Sequence, residues 1–475
     1  MKQKISTGVS GLDDILNGGL IPGRSYLVNG GPGTGKSTLG YHFLSRGLHS
    51  GEKVLYISLG ESKQSIVENA GRIGIDLSKA AILDLTPAGD LGETGSYSVF
   101  SSSEVEQQPI VQSISEAVEE QNPSRVVLDS ITMLEFLNSD PYQLRNFGLT
   151  FTNYICSSGA TLIMITESFN RHQPRDAAFW ADGVINLAYD ADWRRISVTK
   201  YRGSEFRHGN HAFRLSDRGA AVYPRLQPDI YDRSFQEQIL SSGIPEIDKM
   251  LNGGIEKGTT TLITGASGVG KTNLGLQFFK EAASRNERSV VYTFEESHEL
   301  IRRRSEQINI PVNTMIEAGN LEIIPVEPLS YSPDEFSEMV RRDVEHNDTQ
   351  LVMIDTMGGY GIAVRDQNKL ERLHALTVYL QNMGVTCFLI NETPNVTGQL
   401  VTTDMHASYL TDNIIFLRYL EIGGELRKAI GVLKKRLSDF EKTIREFQIT
   451  SGGIQVGAPL DKIKGILSGN PDIIE

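Results

Sequence analysis

The chain has 475 residues and carries 46 Lys and Arg against 59 Asp and Glu, a net charge of −13. That balance works against a general nucleic-acid binder, while 39% hydrophobic and 22% charged residues exclude a disordered chain. No apolar run approaches the ~18 residues needed to cross a bilayer, and the length suits two domains, each large enough for a full α/β core.

The N-terminus, Met1-Lys2-Gln3-Lys4-Ile5-Ser6-Thr7, does not read as a signal peptide, so a soluble, cytoplasmic protein is expected. Cys156 and Cys387 fall one in each half, near or within apolar segments, and are expected to be buried free thiols.

The first element, Thr7-Gly8-Val9-Ser10-Gly11-Leu12-Asp13-Asp14-Ile15-Leu16-Asn17-Gly18-Gly19, reads as a short helix stopped by a Gly-Gly pair. It returns at Ser242–Gly254, 235 positions later. Next, the strand-like Ser25-Tyr26-Leu27-Val28 runs into Gly30-Gly31-Pro32-Gly33-Thr34-Gly35-Lys36-Ser37, followed by the helix-like 38–48. The same strand, loop and helix recur around Gly265-Ala266-Ser267-Gly268-Val269-Gly270-Lys271-Thr272, again 235 positions on (271 − 36). Glycines in such a loop let successive backbone N–H groups turn toward a phosphate, and the following helix presents its positive end to the same anion. Lys36 and Lys271 are placed to reach β- and γ-phosphates, and Ser37 and Thr272 to offer a hydroxyl to Mg²⁺. The expected ATP-binding residues here are Gly33, Thr34, Gly35, Lys36, Ser37 and Thr38, and Gly268, Val269, Gly270, Lys271, Thr272 and Asn273.

The apolar strand Val54–Leu59 leads to Gly60-Glu61-Ser62, and Val290–Phe294 leads to Glu295-Glu296-Ser297. Aligning the Glu-Ser pairs sets Gly60 opposite Glu295. A carboxylate at the carboxyl end of a core strand beside a phosphate loop can polarise a water or a hydroxyl. Glu295 is favoured for that role because the first half drops it and otherwise keeps the pattern. Glu61 and Glu296 fit either catalysis or placement at the start of the next helix.

The polar stretch 86–109 has no partner in the second half and is expected to be a long surface loop. Arg125-Val126-Val127-Leu128-Asp129 and Leu351-Val352-Met353-Ile354-Asp355 are buried-strand patterns whose terminal Asp can hold Mg²⁺. Thr161–Glu167 and Thr386–Glu392 are further core strands, with Thr166 and Asn391 either facing a γ-phosphate or capping. Between Glu392 and Asp412 the second half carries five more residues than the first does between Glu167 and Asp182, and this stretch holds Thr402, Thr403, Ser408 and Tyr409. Each half closes with a Lys-x-Arg tip, Lys200 and Arg202 or Lys434 and Arg436, suited either to a nucleotide phosphate across a subunit boundary or to a solvated hairpin edge. Residues 224–238 read as a linker, and a short helix is expected after Val456.

The Gly-Val-Ser-Gly-Leu-Asp entry, the two phosphate loops, Glu295-Glu296-Ser297, the Asp-ending strands and the Lys-x-Arg tips together resemble the KaiC family of double-domain ATPases in the RecA superfamily. The resemblance covers nearly the whole chain. It implies an α/β protein of two tandem RecA-like P-loop NTPase domains, 1–232 and 233–475, each a mostly parallel central sheet flanked by helices. It implies ATP and Mg²⁺ as cofactors, a homohexameric double ring with ATP between neighbouring subunits, and the Lys-x-Arg tips reaching into the adjacent site. In that family the first domain is an ATPase, and the second is an autokinase and phosphatase acting on a neighbouring Ser-Thr pair. The resemblance puts the kinase base on Glu295 and the phospho-acceptor on Ser408, with Tyr409 where the family has Thr.

Three departures separate this chain from the clock members. Tyr409 replaces one acceptor, Gly60 lacks a carboxylate, and no long C-terminal tail of the kind KaiA acts on is expected. A clock-independent relative is therefore expected, with a KaiB-like protein as partner class, no KaiA-type regulation, no membrane and no nucleic acid. Two other classes compete. One is a RecA/RadA- or DnaB-like DNA-dependent ATPase, which the net charge, the duplication and the lack of an Arg/Lys-rich loop argue against. The other is a nucleotide-gated scaffold with little catalysis.

Overall fold

A computed structural model of the chain describes residues 3–86, 103–132, 141–167, 177–190, 193–327, 330–364, 368–393, 408–467 and 472–473. The chain divides into two units, Met1–Arg225 and Leu226–Glu475.

The first unit is built on β1 (Ser25–Gly30), β2 (Val54–Ser58), β3 (Ala81–Asp84), β4 (Arg125–Asp129), β5 (Thr161–Glu167), β6 (Gly183–Asp190), β7 (Trp193–Tyr201), β8 (His211–Ser216) and β9 (Gly219–Tyr223). They form one sheet in the order β3-β2-β4-β5-β1-β6-β7-β8-β9. From β3 to β6 every pairing is parallel, and from β6 to β9 every pairing is antiparallel. Parallel strands need helical crossovers, so both faces of this part are covered and the strands are apolar throughout. Alternate residues feed two separate cores. Val54, Tyr56 and Val127 pack on one face with Leu39, Phe43 and Leu44 of the helix Lys36–His49. Leu55, Ile57, Val126 and Leu128 pack on the other with Ile114, Val118, Phe151 and Ile155.

The second unit starts with a small ribbon, β10 (Ile239–Leu240) and β11 (Ile255–Glu256). Its main strands are β12 (Thr260–Gly265), β13 (Arg288–Thr293), β14 (Leu321–Pro325), β15 (Thr349–Asp355), β16 (Thr386–Glu392), β17 (Asn413–Ile422), β18 (Glu425–Lys435), β19 (Arg445–Thr450) and β20 (Gly453–Pro459). The order β14-β13-β15-β16-β12-β17-β18-β19-β20 repeats the first sheet position for position. In both units the strand preceding the phosphate loop is central, and its carboxyl end is bordered by those of its parallel neighbours. An open α/β sheet binds ligands at this kind of crevice.

Three local expectations are corrected. Of the stretch 86–109, residues from Ser103 onward belong to the helix Ser103–Gln121, which contains Pro109 in its second turn. Residues 87–102 lie outside the described residues. The segment after Arg225 is not a free linker but packs on the second unit. Asn382 Nδ2 donates to the Pro228 carbonyl at 2.9 Å, the Arg233 N–H donates to the Asn382 carbonyl at 2.9 Å, and Tyr231 meets Tyr379 edge-on with ring centroids 4.9 Å apart. The division at 225/226 thus falls before the expected 232/233 because apolar Leu226 and Tyr231 join the second core. After Val456 the described chain forms β20 and a short ribbon, β21 (Ile463–Lys464) with β22 (Asp472–Ile473), in place of the expected helix. Cys387 is buried and Cys156 partly so, both as free thiols.

The first unit also contains an almost fully buried charge, Arg125, at the start of β4, only 2% exposed. Its guanidinium forks onto both Glu52 oxygens at 2.7 and 3.0 Å and donates to the carbonyls of Ser6 and Phe43 at 2.7 and 3.0 Å. Gly47 makes room, since a Cβ there would come within 2.7 Å of Arg125 Cδ. Removing one member of such a pair strands the other, at a cost of about 3–5 kcal/mol. Arg125→Ala is therefore expected to lower the urea midpoint of the first unit while leaving that of the second in place, as read by two-probe denaturation.

Candidate functional site

Each phosphate loop closes a strand and opens a helix through glycines in left-handed conformations. Gly33 and Gly35 have φ of 70° and 100°, and Gly268 and Gly270 have φ of 72° and 117°. Gly35 and Gly270 are the N-caps of the helices Lys36–His49 and Lys271–Ser284. A side chain at Gly270 would place its Cβ 2.4 Å from Ile449, so glycine is required by both backbone and space. Val269 turns its side chain wholly into the core, leaving only its backbone for a ligand.

The loop lysines fold back over their own loops. Lys36 Nζ donates to the Gly31 carbonyl at 2.9 Å, and Lys271 Nζ to the Ala266 carbonyl at 2.8 Å. Lys271 also lies 3.7 Å from the Glu392 carboxylate at the end of β16. Burial lowers the Lys271 pKa, and Glu392 opposes that shift. In both units the hydroxyl after the lysine bonds the strand-end aspartate: Ser37 Oγ donates to Asp129 at 2.6 Å, and Thr272 Oγ1 to Asp355 at 2.7 Å. A hydroxyl and a carboxylate held together are hard oxygen donors of the kind Mg²⁺ takes alongside phosphate oxygens. Chemically, then, the residues fit a metal–nucleotide.

In the second unit these groups line a cavity of about 280 Å³ with Asn273, Glu295, Glu296, Arg304, Thr356 and Glu392. Asn273 Oδ1 has no hydrogen-bond partner among the described residues. Glu295 accepts at 2.7 Å from Oγ1 of Thr356, the residue after Asp355. Glu296 instead accepts from Arg304 NH1 at 2.7 Å, one helix face further along. Its first-unit counterpart Glu61 is likewise held by its own helix, by Ser65 Oγ at 2.7 Å and by Asn69. The serines that follow, Ser62 and Ser297, are the actual helix caps. At Gly60 a Cβ would meet nothing within 4 Å, so the place Glu295 fills in the second unit is open in the first.

The Lys-x-Arg tips lie elsewhere. Lys200 pairs across from Val184, which pairs with Leu27 near the start of β1, at the end of the sheet opposite the phosphate loop. Lys434 stands in the same place opposite Ile414. Lys200 Nζ donates to the Ala178 carbonyl at 2.9 Å and Lys434 Nζ to the Thr411 carbonyl at 2.6 Å, while Arg202 and Arg436 are 59% and 51% exposed beside Asp182 and Asp412. Neither tip reaches the loop of its own unit. Ser408 opens a single 3₁₀ turn, Ser408–Leu410, and Tyr409 projects from it, 46% exposed, with its ring 5.4 Å from His374. Thr402 and Thr403 lie outside the described residues.

Two features at the loops escaped the sequence reading. Arg194 and Lys428 lean over Tyr189 and Tyr419, at 5.0 and 5.5 Å from the ring centroids, and donate to the carbonyls of Gly33 and Gly268. Each stands six residues before the Lys of its tip, a shared spacing that was available in the sequence. The other is Tyr56, whose hydroxyl donates to Asp129 Oδ2 at 2.7 Å. Burial first, and the Asp129 carboxylate next, raise this phenol well above its usual pKa, so it stays a donor.

Fold and site together define a P-loop ATPase with two tandem RecA-like domains. The sequence comparisons agree: a family model described as "ATPase: KaiC" matches residues 5–227 and again 240–461. The chain belongs to the KaiC ATPase family. Among its relatives, the circadian clock oscillator protein KaiC of Parasynechococcus marenigrum is 30% identical over 99% of this chain and 93% of its own length. The protein of the same name from Picosynechococcus is 30% identical over 99% and 92%. The circadian clock protein KaiC3 of Synechocystis is 28% identical over 99% and 94%.

Asp355 is 5% exposed, and its pKa is raised to about 6, first by burial, against the opposing bond from Thr272. A carboxyl raised above its unfolded value binds more protons folded than unfolded, so it costs stability as pH rises through roughly 4 to 6. At about 1.4 kcal/mol per unit, the cost is of order 3 kcal/mol at pH 8. In metal-free protein, Asp355→Asn is therefore expected to raise the melting temperature of the second unit at pH 8 and to leave it near wild type at pH 4, by differential scanning fluorimetry.

Proposed function

We propose that both loops bind Mg²⁺·ATP and that the second unit transfers phosphate to protein. The carrying observation is Glu295. It lines the cavity that holds Lys271, Thr272 and Asp355, and unlike Glu296 and Glu392, whose counterparts are Glu61 and Glu167, its counterpart position is Gly60. In this reading Lys271 and the loop N–H groups grip the phosphates, and Thr272 and Asp355 would hold Mg²⁺, which would supply further charge neutralisation. Glu295 takes the proton of an attacking hydroxyl as its oxygen bonds the γ-phosphorus and the bond to the β-phosphate oxygen breaks, releasing ADP. The acceptor is Ser408 of a neighbouring copy. Lys200, Arg202, Lys434 and Arg436, remote from their own loops, serve adjacent sites in a homohexameric ring. In the first unit, with Gly60 in place of a carboxylate and Glu61 tied to its helix, hydrolysis is slow. The output is signalling related to that of the clock-named relatives, in the cytoplasm, with a KaiB-like partner class.

Incubation with ATP and Mg²⁺ is expected to phosphorylate Ser408, read by phosphosite mass spectrometry, with Ser408→Ala removing most of the label. Glu295→Gln is expected to lower the labelling rate by about 10²-fold or more. Full labelling in Glu295→Gln would overturn the assignment and favour a scaffold, and strong stimulation of turnover by single-stranded DNA would favour the DNA-dependent class. Gly60→Glu, entering open space, is expected to raise first-unit turnover several-fold in a chain whose second site carries Glu295→Gln, measured as phosphate release.

A further inference from the structure

The two sites differ beneath the aspartate as well as beside it. In the first unit, Asp129 Oδ2 receives two hydroxyls, Ser37 at 2.6 Å and Tyr56 at 2.7 Å. Tyr56 is 1% exposed, and the ring of Tyr41, itself 4% exposed, lies 5.7 Å from it at a 40° tilt. The 235-residue register places Leu276 at the position of Tyr41 and Val291 at that of Tyr56. Both second-unit residues are fully buried aliphatics. The nearby Tyr292 is no substitute. It stands one place further along β13, so it faces the other side of the sheet and donates to Asp343 on the helix Pro333–His346. Asp355 therefore receives the Thr272 hydroxyl and no second hydroxyl among the described residues.

This difference matters when a divalent cation arrives. The loop hydroxyl would offer a lone pair to the metal while its hydrogen stays on the aspartate, in both units alike. Asp355 would then be oriented by the Thr272 hydroxyl alone among the side-chain hydroxyls of the described residues. Asp129 has Tyr56 as a second donor, its ring fixed by packing against Tyr41 and its hydroxyl holding Oδ2. Donors behind a metal-bound carboxylate fix its rotamer before binding, and removing one typically costs about 10- to 100-fold in metal affinity. We propose that Tyr56, backed by Tyr41, is a positioning residue for Asp129, so that the first site keeps its metal–nucleotide more firmly than the second. The pairing fits the missing carboxylate at Gly60: the first site is built to retain its ligand, the second to turn it over.

The inference rests on both loops being metal–nucleotide sites, and the test separates the two claims. Mn²⁺ binding to the full chain with AMP-PNP is followed by electron paramagnetic resonance, and fluorescent-nucleotide binding in EDTA is measured in parallel. Wild type is expected to take two Mn²⁺ in two affinity classes. Tyr56→Phe, which removes one oxygen and keeps the ring, is expected to weaken the tighter class about tenfold and to leave the weaker class and the EDTA measurement unchanged. Val291→Tyr is expected to tighten the weaker class, and Tyr292→Phe to change neither. The proposal is overturned if Tyr56→Phe leaves both classes alone, weakens both equally, or acts no differently from Tyr292→Phe. Fewer than two Mn²⁺ in wild type would overturn the two-site reading, and this inference with it.

Discussion

The bond from the loop hydroxyl to the strand-end aspartate, Ser37 to Asp129 and Thr272 to Asp355, ties the parts of each unit together. It joins the helix that follows β1 or β12 to β4 or β15, two places away across the sheet. For it to form, the loop must turn through its left-handed glycines, the helix must lie on the sheet, and β4 or β15 must stop at that level. The crossover strands, the apolar faces and the small residues under the helix all serve that distance. Gly40 and Gly275 illustrate this, since a Cβ on either would press on Val127 or Met353 at 3.1 or 2.6 Å.

From this shared frame the two units depart in their charges. The first holds Glu61 with the neutral Asn69 and braces Asp129 with a phenol. The second holds Glu296 with Arg304, adds Glu295 over Thr356, and keeps Asp355 buried with one hydroxyl donor, burial raising its pKa to about 6. A carboxylate that is desolvated with few donors is costly when empty and strongly favoured by a cation. A braced one costs less when empty and changes less on binding. Duplication of the fold thus preserves geometry while a handful of side chains separates retention from chemistry.

Much of this could be read along the chain. The repeat offset, the loops, the strand-end aspartates and the Gly60/Glu295 difference are local patterns, because strand, turn and helix signals act over a few residues. Where the reading went astray, longer contacts decided. Residues 226–235 look like a polar linker, yet Tyr231 and Phe235 find Tyr379 and Gly384. The helix Ser103–Gln121 carries an internal proline, Pro109, that reads locally as a breaker. Glu61 and Glu296 were open between two roles, and the residues that hold them lie eight positions on, at Asn69 and Arg304, a spacing that becomes proximity only once the helix forms.

By itself the sequence determined that one nucleotide-binding unit occurs twice, where its loops and strand-end aspartates fall, and that only the second copy carries a carboxylate at the Gly60/Glu295 position. These follow from backbone needs that few residue types can meet. Only the tertiary structure decided which way side chains face. Tyr56 and Tyr292 look like partners in the sequence, yet they sit one register step apart and so point to opposite faces of their sheets, one to the strand-end aspartate Asp129 and one to the helix Pro333–His346. Likewise the Lys-x-Arg tips recur faithfully, but only the strand pairing shows that they stand at the far end of the sheet from their own loops. The strand period of two makes a single step in register a change of face, and nothing local to either tyrosine records that step.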